Sequence, residues 1–250
     1  NNGTLIFNRN NVYTFSFVIS GTGNVVKNGD GELTLTEANS YTGTTTVSSQ
    51  RLNYTITANG GSNSGIGASS NSASNLIIDG GHLRYIGTGG STDRLFTITP
   101  NGGRVYASGS GGQTWTNTGA IVMSGTGNRT LEIGGGTATT NYFAPILSNP
   151  SSGTLSVTKT GNDNVWVLTA NHTYTGTTTI TGGTIQLGNN TTTGSVAGNI
   201  VNNATLIFNR SNDIEYSFVI SGTGTVYQSG TARLNIRGTQ TYTEPTIVSS

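Results

Sequence analysis

A long internal repeat limits what this chain can fold into more than any other feature. Residues 1–49 align without a gap on residues 202–250, an offset of 201, and 26 of the 49 positions are identical. The run Thr4-Leu5-Ile6-Phe7-Asn8-Arg9 returns as Thr205-Leu206-Ile207-Phe208-Asn209-Arg210, and Ser16 through Gly23 returns unchanged from Ser217 to Gly224. A shorter echo lies inside the unit, where Leu35 through Val47 resembles Leu168 through Ile180. Nested similarity of this kind is what a stack of related coils leaves in a sequence. The chain is therefore expected to be a single elongated domain: one long unit, 1–201, and the start of a second copy, 202–250, continuous with it. A unit that begins again suggests a segment of a longer protein.

Composition narrows the architecture. Gly, Thr, Asn and Ser supply 138 of the 250 residues, while hydrophobic residues make up 32% and charged residues 8%. A disordered chain would be charged and poor in β-branched residues; this one is nearly uncharged and rich in Thr, Val, Ile and Tyr. A sandwich or barrel of this length needs a wide core and more Leu, Ile, Val and Phe. A solenoid needs little, because each coil buries a few side chains against its neighbours and leaves an outer face of Thr, Ser and Asn. The local pattern agrees. Tyr13, Phe15, Phe17 and Ile19 alternate with Thr14, Ser16 and Val18, and Leu33 and Leu35 with Thr34 and Thr36, the period of two expected of a strand. Further short runs, among them Leu76–Ile78, Leu83–Ile86, Leu95–Ile98, Leu155–Lys159 and Val165–Leu168, are bounded by turn residues. No run has apolar residues at helical spacing. The reading is all-β, with coils of about 20–25 residues giving about 11 coils and a rod of about 50 Å. A set of small antiparallel modules is the alternative.

The residues also resemble a known family. Gly21 through Thr36, continuing through Asn39-Ser40-Tyr41-Thr42-Gly43 to Val47, is similar to the autotransporter-associated β-strand repeat, also called the passenger-associated repeat. So are Lys159-Thr160-Gly161 and Trp166 through Gly176, and Leu76–Gly87 and Ser91–Thr97 resemble segments that recur between such repeats. In the second copy Lys27, Asp30 and Gly43 give way to Gln228, Thr231 and Glu244. The resemblance implies a right-handed parallel β-helix in a bacterial protein that is secreted or displayed at the cell surface. Members serve as adhesins, aggregation factors or long surface structures, and some are exported through a C-terminal outer-membrane barrel.

The polar residues offer few candidates for chemistry. Asp30/Glu32 and Asp213/Glu215 are the closest of the ten carboxylates, and residues i and i+2 share a strand face, as an acid and base pair would need. Between the copies, however, Asp30/Glu32 become Thr231/Arg233, and Asp213/Glu215 replace Val12/Thr14, while Phe17 and Ile19 stay apolar as Phe218 and Ile220. Such drift fits a solvated exterior better than a catalytic pair. His82 and His172 are the only histidines. Neither has metal-ligand company, and His172, in the turn before Tyr174, reads as a surface residue. Arg9 and Arg210 occupy the one charged position kept in both copies. They are expected to lie over Phe7 or Phe208 or to bond a turn carbonyl. Trp115 and Trp166 are expected to stack within the solenoid. Asn-x-Ser/Thr triplets such as those at Asn53, Asn171, Asn189 and Asn190 follow from Asn and Thr abundance.

No nucleophile elbow, phosphate loop or calcium nonapeptide is present, and cysteine is absent. No catalytic, cofactor-binding or metal-binding residue is assigned, and no cofactor. The expected function is a structural and adhesive extracellular rod or fibre, associating with itself end to end or laterally and with glycans or a neighbouring or host cell surface. A net charge of +1 without a basic stripe argues against nucleic acid as partner, and no apolar run is long enough to insert in a membrane. A β-helix polysaccharide lyase or hydrolase and a glycan-binding module are the alternatives.

Overall fold

Thr, Val, Ile and aromatic residues at alternate positions favour extended backbone, because their side chains pack well on a pleated surface; Gly, Asn and Ser between them take the bends. The computed structural model describes residues 1–249, and there the pattern yields 27 short strands. Every strand pair is parallel. Among the described residues the only helical element is a single 3-10 turn, Ala73–Asn75, and no helix is long and apolar enough to cross a membrane.

Successive strands do not pair with each other but with the equivalent strand one coil on. Three long parallel ladders result, a six-stranded one from Thr4–Phe7 to Val122–Met123, an eleven-stranded one from Tyr13–Phe15 to Thr241–Tyr242, and an eight-stranded one from Thr88–Thr92 to Thr246–Val248, with a two-stranded one of Ile214–Tyr216 and Leu234–Ile236 besides. The fold is thus the all-β parallel β-solenoid that the repeat calls for, and antiparallel modules are ruled out. Thr4 stands opposite Asn24, a coil of 20 residues, whereas Thr45 stands opposite Leu76, a coil of 31. The longer coil exceeds the 20–25 expected because it holds a loop between Tyr54 and Ala73, and surface insertions cost little closure entropy.

The core is a narrow column. Leu33, Leu52, Leu83, Val105 and Ile133 stand one above another in register, all at most 2% exposed. On the eight-stranded face Trp115, Phe143, Leu168, Leu187 and Phe208 do the same. Aromatic rings bridge coils as expected of the two tryptophans: Phe96 to Trp115 at 5.4 Å, Trp115 to Phe143 at 6.2 Å and Phe143 to Trp166 at 6.2 Å between centroids. One strand reading fails. The alternation over 13–19 is extended only across Tyr13–Phe15; the chain then bends, and Phe17 is 70% exposed.

The two copies of the repeat have the same local structure on different faces. Phe7 meets Phe15 edge to face at 5.4 Å and Phe15 meets Phe17 at 5.8 Å; Phe208, Tyr216 and Phe218 repeat this at 5.7 Å and 5.7 Å. Yet Thr4–Phe7 begins the six-stranded ladder and Thr205–Arg210 lies in the eight-stranded one. Ile214–Tyr216, the counterpart of Tyr13–Phe15, leaves the long ladder to pair with Leu234–Ile236, and Ile220–Gly222 takes the place on the long ladder, nine steps from Tyr13–Phe15. The offset of 201 residues therefore spans nine turns less one face of three.

At the corners the coils approach too closely for side chains. A Cβ at Gly109 would collide with the carbonyl oxygen of Gly87 one coil below, so Gly109→Ala would force the coils apart. Leu83→Ala, in the middle of the inward column, is expected to cost about 3 kcal/mol, read from denaturant unfolding. Because coils contact only their neighbours, amide exchange should accelerate around residues 52–105 more than beyond 200.

Candidate interaction surface

Where a strand ends at a corner, carbonyls converge and backbone donors run short. Buried side-chain donors fill these places. Lys159, fully buried, donates from Nζ to the carbonyls of Thr160 at 2.8 Å, Gly161 at 3.1 Å and Gly182 at 2.9 Å. Lys27 donates to the carbonyls of Gly29 and, at 3.2 Å, Ser49. In the second copy the Nε2 of Gln228 serves Gly230 at 3.1 Å and Ala232 at 2.6 Å. The exchange of Lys27 for Gln228 thus keeps the donor and drops the charge. Burial without a carboxylate partner brings the Lys159 ammonium down to about 8. Arg94 and Arg129 act alike, Arg94 on the carbonyl of Gly67 at 2.9 Å and Arg129 on that of Ile98 at 3.0 Å.

Arg210 is buried and bonds the Thr192 carbonyl, the turn contact expected of it, and also the Oδ1 of Asn212 at 2.9 Å. Arg9 differs from expectation: it lies over Tyr13, 4.5 Å from the ring centroid, with Nε on the Oδ1 of Asn11 at 3.0 Å. Tyrosines supply a further corner clip, with hydroxyls paired to a threonine four residues on: Tyr41 to Thr45 at 2.7 Å, Tyr174 to Thr178 at 2.7 Å and Tyr242 to Thr246 at 2.6 Å.

The surface reading of His172 is overturned: it is 2% exposed. In the alignment of the inner echo it falls on Asn39, and it does what Asn39 does. Asn39 Oδ1 accepts the Ile19 N–H at 2.8 Å, His172 Nδ1 the Leu147 N–H at 3.1 Å, and Gln240 Oε1 the Ile220 N–H at 2.6 Å. Three residue types thus accept an N–H from the coil below in the same way. An acceptor at Nδ1 puts the proton on Nε2, and burial lowers the imidazole to about 4.

The carboxylate pairs do not converge. Asp30 faces the Ser49 hydroxyl at 3.3 Å while Glu32 pairs with Arg51; Asp213 takes the Arg233 N–H at 2.9 Å while Glu215 pairs with Arg237 at 3.1 Å. Among the described residues no three His, Asp or Glu side chains gather where a metal would sit. The Asn53 and Asn171 triplets are tied into the fold, Asn53 being buried and Asn171 Oδ1 accepting from Gly194 N at 3.0 Å; Asn189 and Asn190 are exposed.

Pairing in register builds a charged ladder that sequence reading missed. On the outward face of the long sheet Arg51 stands beside His82, His82 beside Arg104 and Arg104 beside Glu132. Arg84 stands between Asn53 and Tyr106 in the neighbouring column. Glu32 holds Arg51 from one end, and Glu132 holds Arg104 at 3.0 Å from the other. The Tyr106 hydroxyl bonds Glu132 and, at 2.5 Å, Thr160. Its ring covers His82, 4.1 Å between centroids, and His82 is 5% exposed. Burial, then the guanidiniums of Arg51, Arg104 and Arg84, hold His82 down at about 3. Neighbours along the ladder lie 19 to 31 positions apart in sequence, so only the register reveals them.

A parallel stack of short coils, closed at its corners by Lys-x-Gly and Tyr-x-x-x-Thr clips, defines a repetitive β-solenoid. The passenger-associated-transport-repeat family matches residues 25–49 and 157–187, the two stretches that carry the clips at Lys27, Tyr41, Lys159 and Tyr174. Those two stretches carry that family's repeat. It is similar to the protein named Adhesin BmaC autotransporter from Brucella suis biovar 1 (strain 1330), with 44% identity over 170 residues, 67% of this chain and 5% of the relative. The chain thus spans a small part of that relative's length. No solved structure matches.

Two outcomes follow from the corners. Lys159→Gln should keep most of the stability, as Gln228 shows, whereas Lys159→Met leaves three buried carbonyls unserved and should cost about 2–3 kcal/mol in denaturant unfolding. His172 binds a proton more readily when unfolded, at its ordinary 6.5, than when folded, at about 4. Its contribution is present above pH 6.5 and is lost as pH falls toward 4, by up to about 1.4 kcal/mol per pH unit. His172→Asn should flatten that loss; His82, lowered in the same direction, keeps part of the slope.

Proposed function

We propose that the chain is a stretch of an adhesive, non-enzymatic rod that is secreted or displayed at a bacterial surface. The observation that carries this reading is the 44% identity, across 67% of the chain, to a protein named as an autotransporter adhesin. The repetitive solenoid supports it, since coils that spend their buried polar groups on corner carbonyls are suited to spacing and display. The divergence of Asp30 from Glu32, and of Asp213 from Glu215, onto separate partners favours a scaffold over a polysaccharide-cleaving enzyme. End-to-end association is part of this proposal, since parallel coils hydrogen-bond to the coil above and below and a second solenoid can be joined in the same way.

Beads coated with the purified chain should attach to cultured cells or to bacteria bearing the intact protein well above albumin-coated beads; attachment at the albumin level would refute the adhesive role. Sedimentation velocity should show association that grows with concentration, and a strictly monomeric chain throughout would refute the strand-pairing role. Turnover of pectin, alginate or a glycosaminoglycan, abolished by Asp213→Asn, would refute the non-enzymatic one.

A further inference from the structure

We propose that Arg51, Arg84 and Arg104 form a binding site for the carboxylate or sulfate groups of an acidic polysaccharide lying along the solenoid axis. The site deepens the adhesive reading by naming a ligand class, and it relies on that reading only for access to the ligand.

The other cations of the chain are already engaged. Of the eleven Lys and Arg residues, five serve corner carbonyls, Arg233 and Arg237 pair with Asp213 and Glu215, and Arg9 lies on Tyr13. The remaining three are gathered on three consecutive coils of one face. The fold does not ask for charge there. The same column continues above Glu132 as Thr158 and Thr179, the usual exterior of this sheet, and the arginines fall between the two stretches matched by the family repeat.

The charges are also ordered. Along the axis the sequence is Glu32, Arg51, His82 with Arg84 beside it, Arg104, Glu132. The carboxylates sit outside and the cations inside. Each glutamate engages one nitrogen of its arginine, Nη1 of Arg51 and Nε of Arg104, leaving donors on both for another acceptor. Arg84 has no carboxylate partner among the described residues, and its Nε is buried without an acceptor, as is the Nε2 of His82 at the centre of the group. A half-buried guanidinium without an anion is an unfavourable arrangement, and a carboxylate or sulfate bound at the Nη atoms of Arg84, which are not closed off as its Nε is, offsets that cost. Beside Arg104 lies a depression of about 180 Å³ lined by Gly80, Asn101, Gly103, Thr130 and Glu132, where the amide and hydroxyl groups suit sugar hydroxyls.

Spacing selects the polymer. Strands stack about 4.8 Å apart, so Arg51 and Arg104, two coils apart, are separated by about 10 Å. A glycan with one charge every sugar or two meets such a row. Duplex DNA, with a charge about every 1.7 Å, needs a longer basic stripe and would be repelled by the flanking Glu32 and Glu132.

The test is calorimetric titration of the 250-residue chain with oligogalacturonate and with dextran sulfate, alongside neutral dextran and duplex DNA. At least one acidic glycan should bind, and which one does tells carboxylate from sulfate. Binding should fall at least tenfold in Arg84→Gln and in high salt, and should be unchanged in Arg237→Gln. Circular dichroism and the unfolding midpoint check the fold of each variant; if Arg84→Gln is unfolded, Arg104→Gln takes its place with the same expectation. Absence of binding to both acidic glycans, equal affinity in the folded variant, or equal affinity for neutral dextran or DNA would overturn the site. Glycan binding without bead attachment would refute only the adhesive reading; attachment unaffected by a folded Arg84→Gln that also binds glycan normally would refute only the site.

Discussion

The structure depends on hydrogen bonds between coils. A parallel ladder satisfies the backbone of one strand only through the strand a full turn away, so every coil must return to within one strand spacing of the last. That requirement sets the rest. It limits the core to the few side chains that fit between three faces, which is why 32% hydrophobic content suffices, and it sends insertions outward, as between Tyr54 and Ala73. It also concentrates the polar difficulty at the corners, where ladders stop and carbonyls accumulate.

The corners are solved by role rather than by residue type. Lys27, Lys159 and Gln228 donate to the carbonyl two residues on, and Asn39, His172 and Gln240 accept the N–H of a neighbouring coil. Charge, ring and amide interchange because what matters is a donor or acceptor at a fixed reach in a site closed to water, where an unmade hydrogen bond is expensive. A lysine here is not a surface charge, and a histidine here is not a switch at neutral pH.

This explains which parts of the molecule were legible in the sequence. Strand punctuation, the parallel solenoid and the inward tryptophans follow from patterns of two to ten residues, and Leu155–Lys159 and Val165–Leu168 agree with the observed bounds. The bend after Phe15 was hidden because Phe17 and Ile19 extend the alternation past the point where the chain turns. His172 looked exposed because a polar residue in a turn usually is; its alignment on Asn39 held the signal, and only the contact with Leu147 gives it meaning. The arginine ladder was not readable at all. Arg51, His82 and Arg104 become neighbours through two coil lengths, 31 and 22 residues, that differ because of loops, and nothing local in the sequence fixes those lengths.

The mismatch between the 201-residue offset and a whole number of turns acts like a screw. In any chain where this unit recurs at the same offset, each copy points its features one side further around the shaft, and three copies bring them back to the starting direction. A patch that is one-sided in a single unit would then be presented to all azimuths, like treads on a spiral stair, and a flexibly held rod would meet a flat target whichever way it rolled.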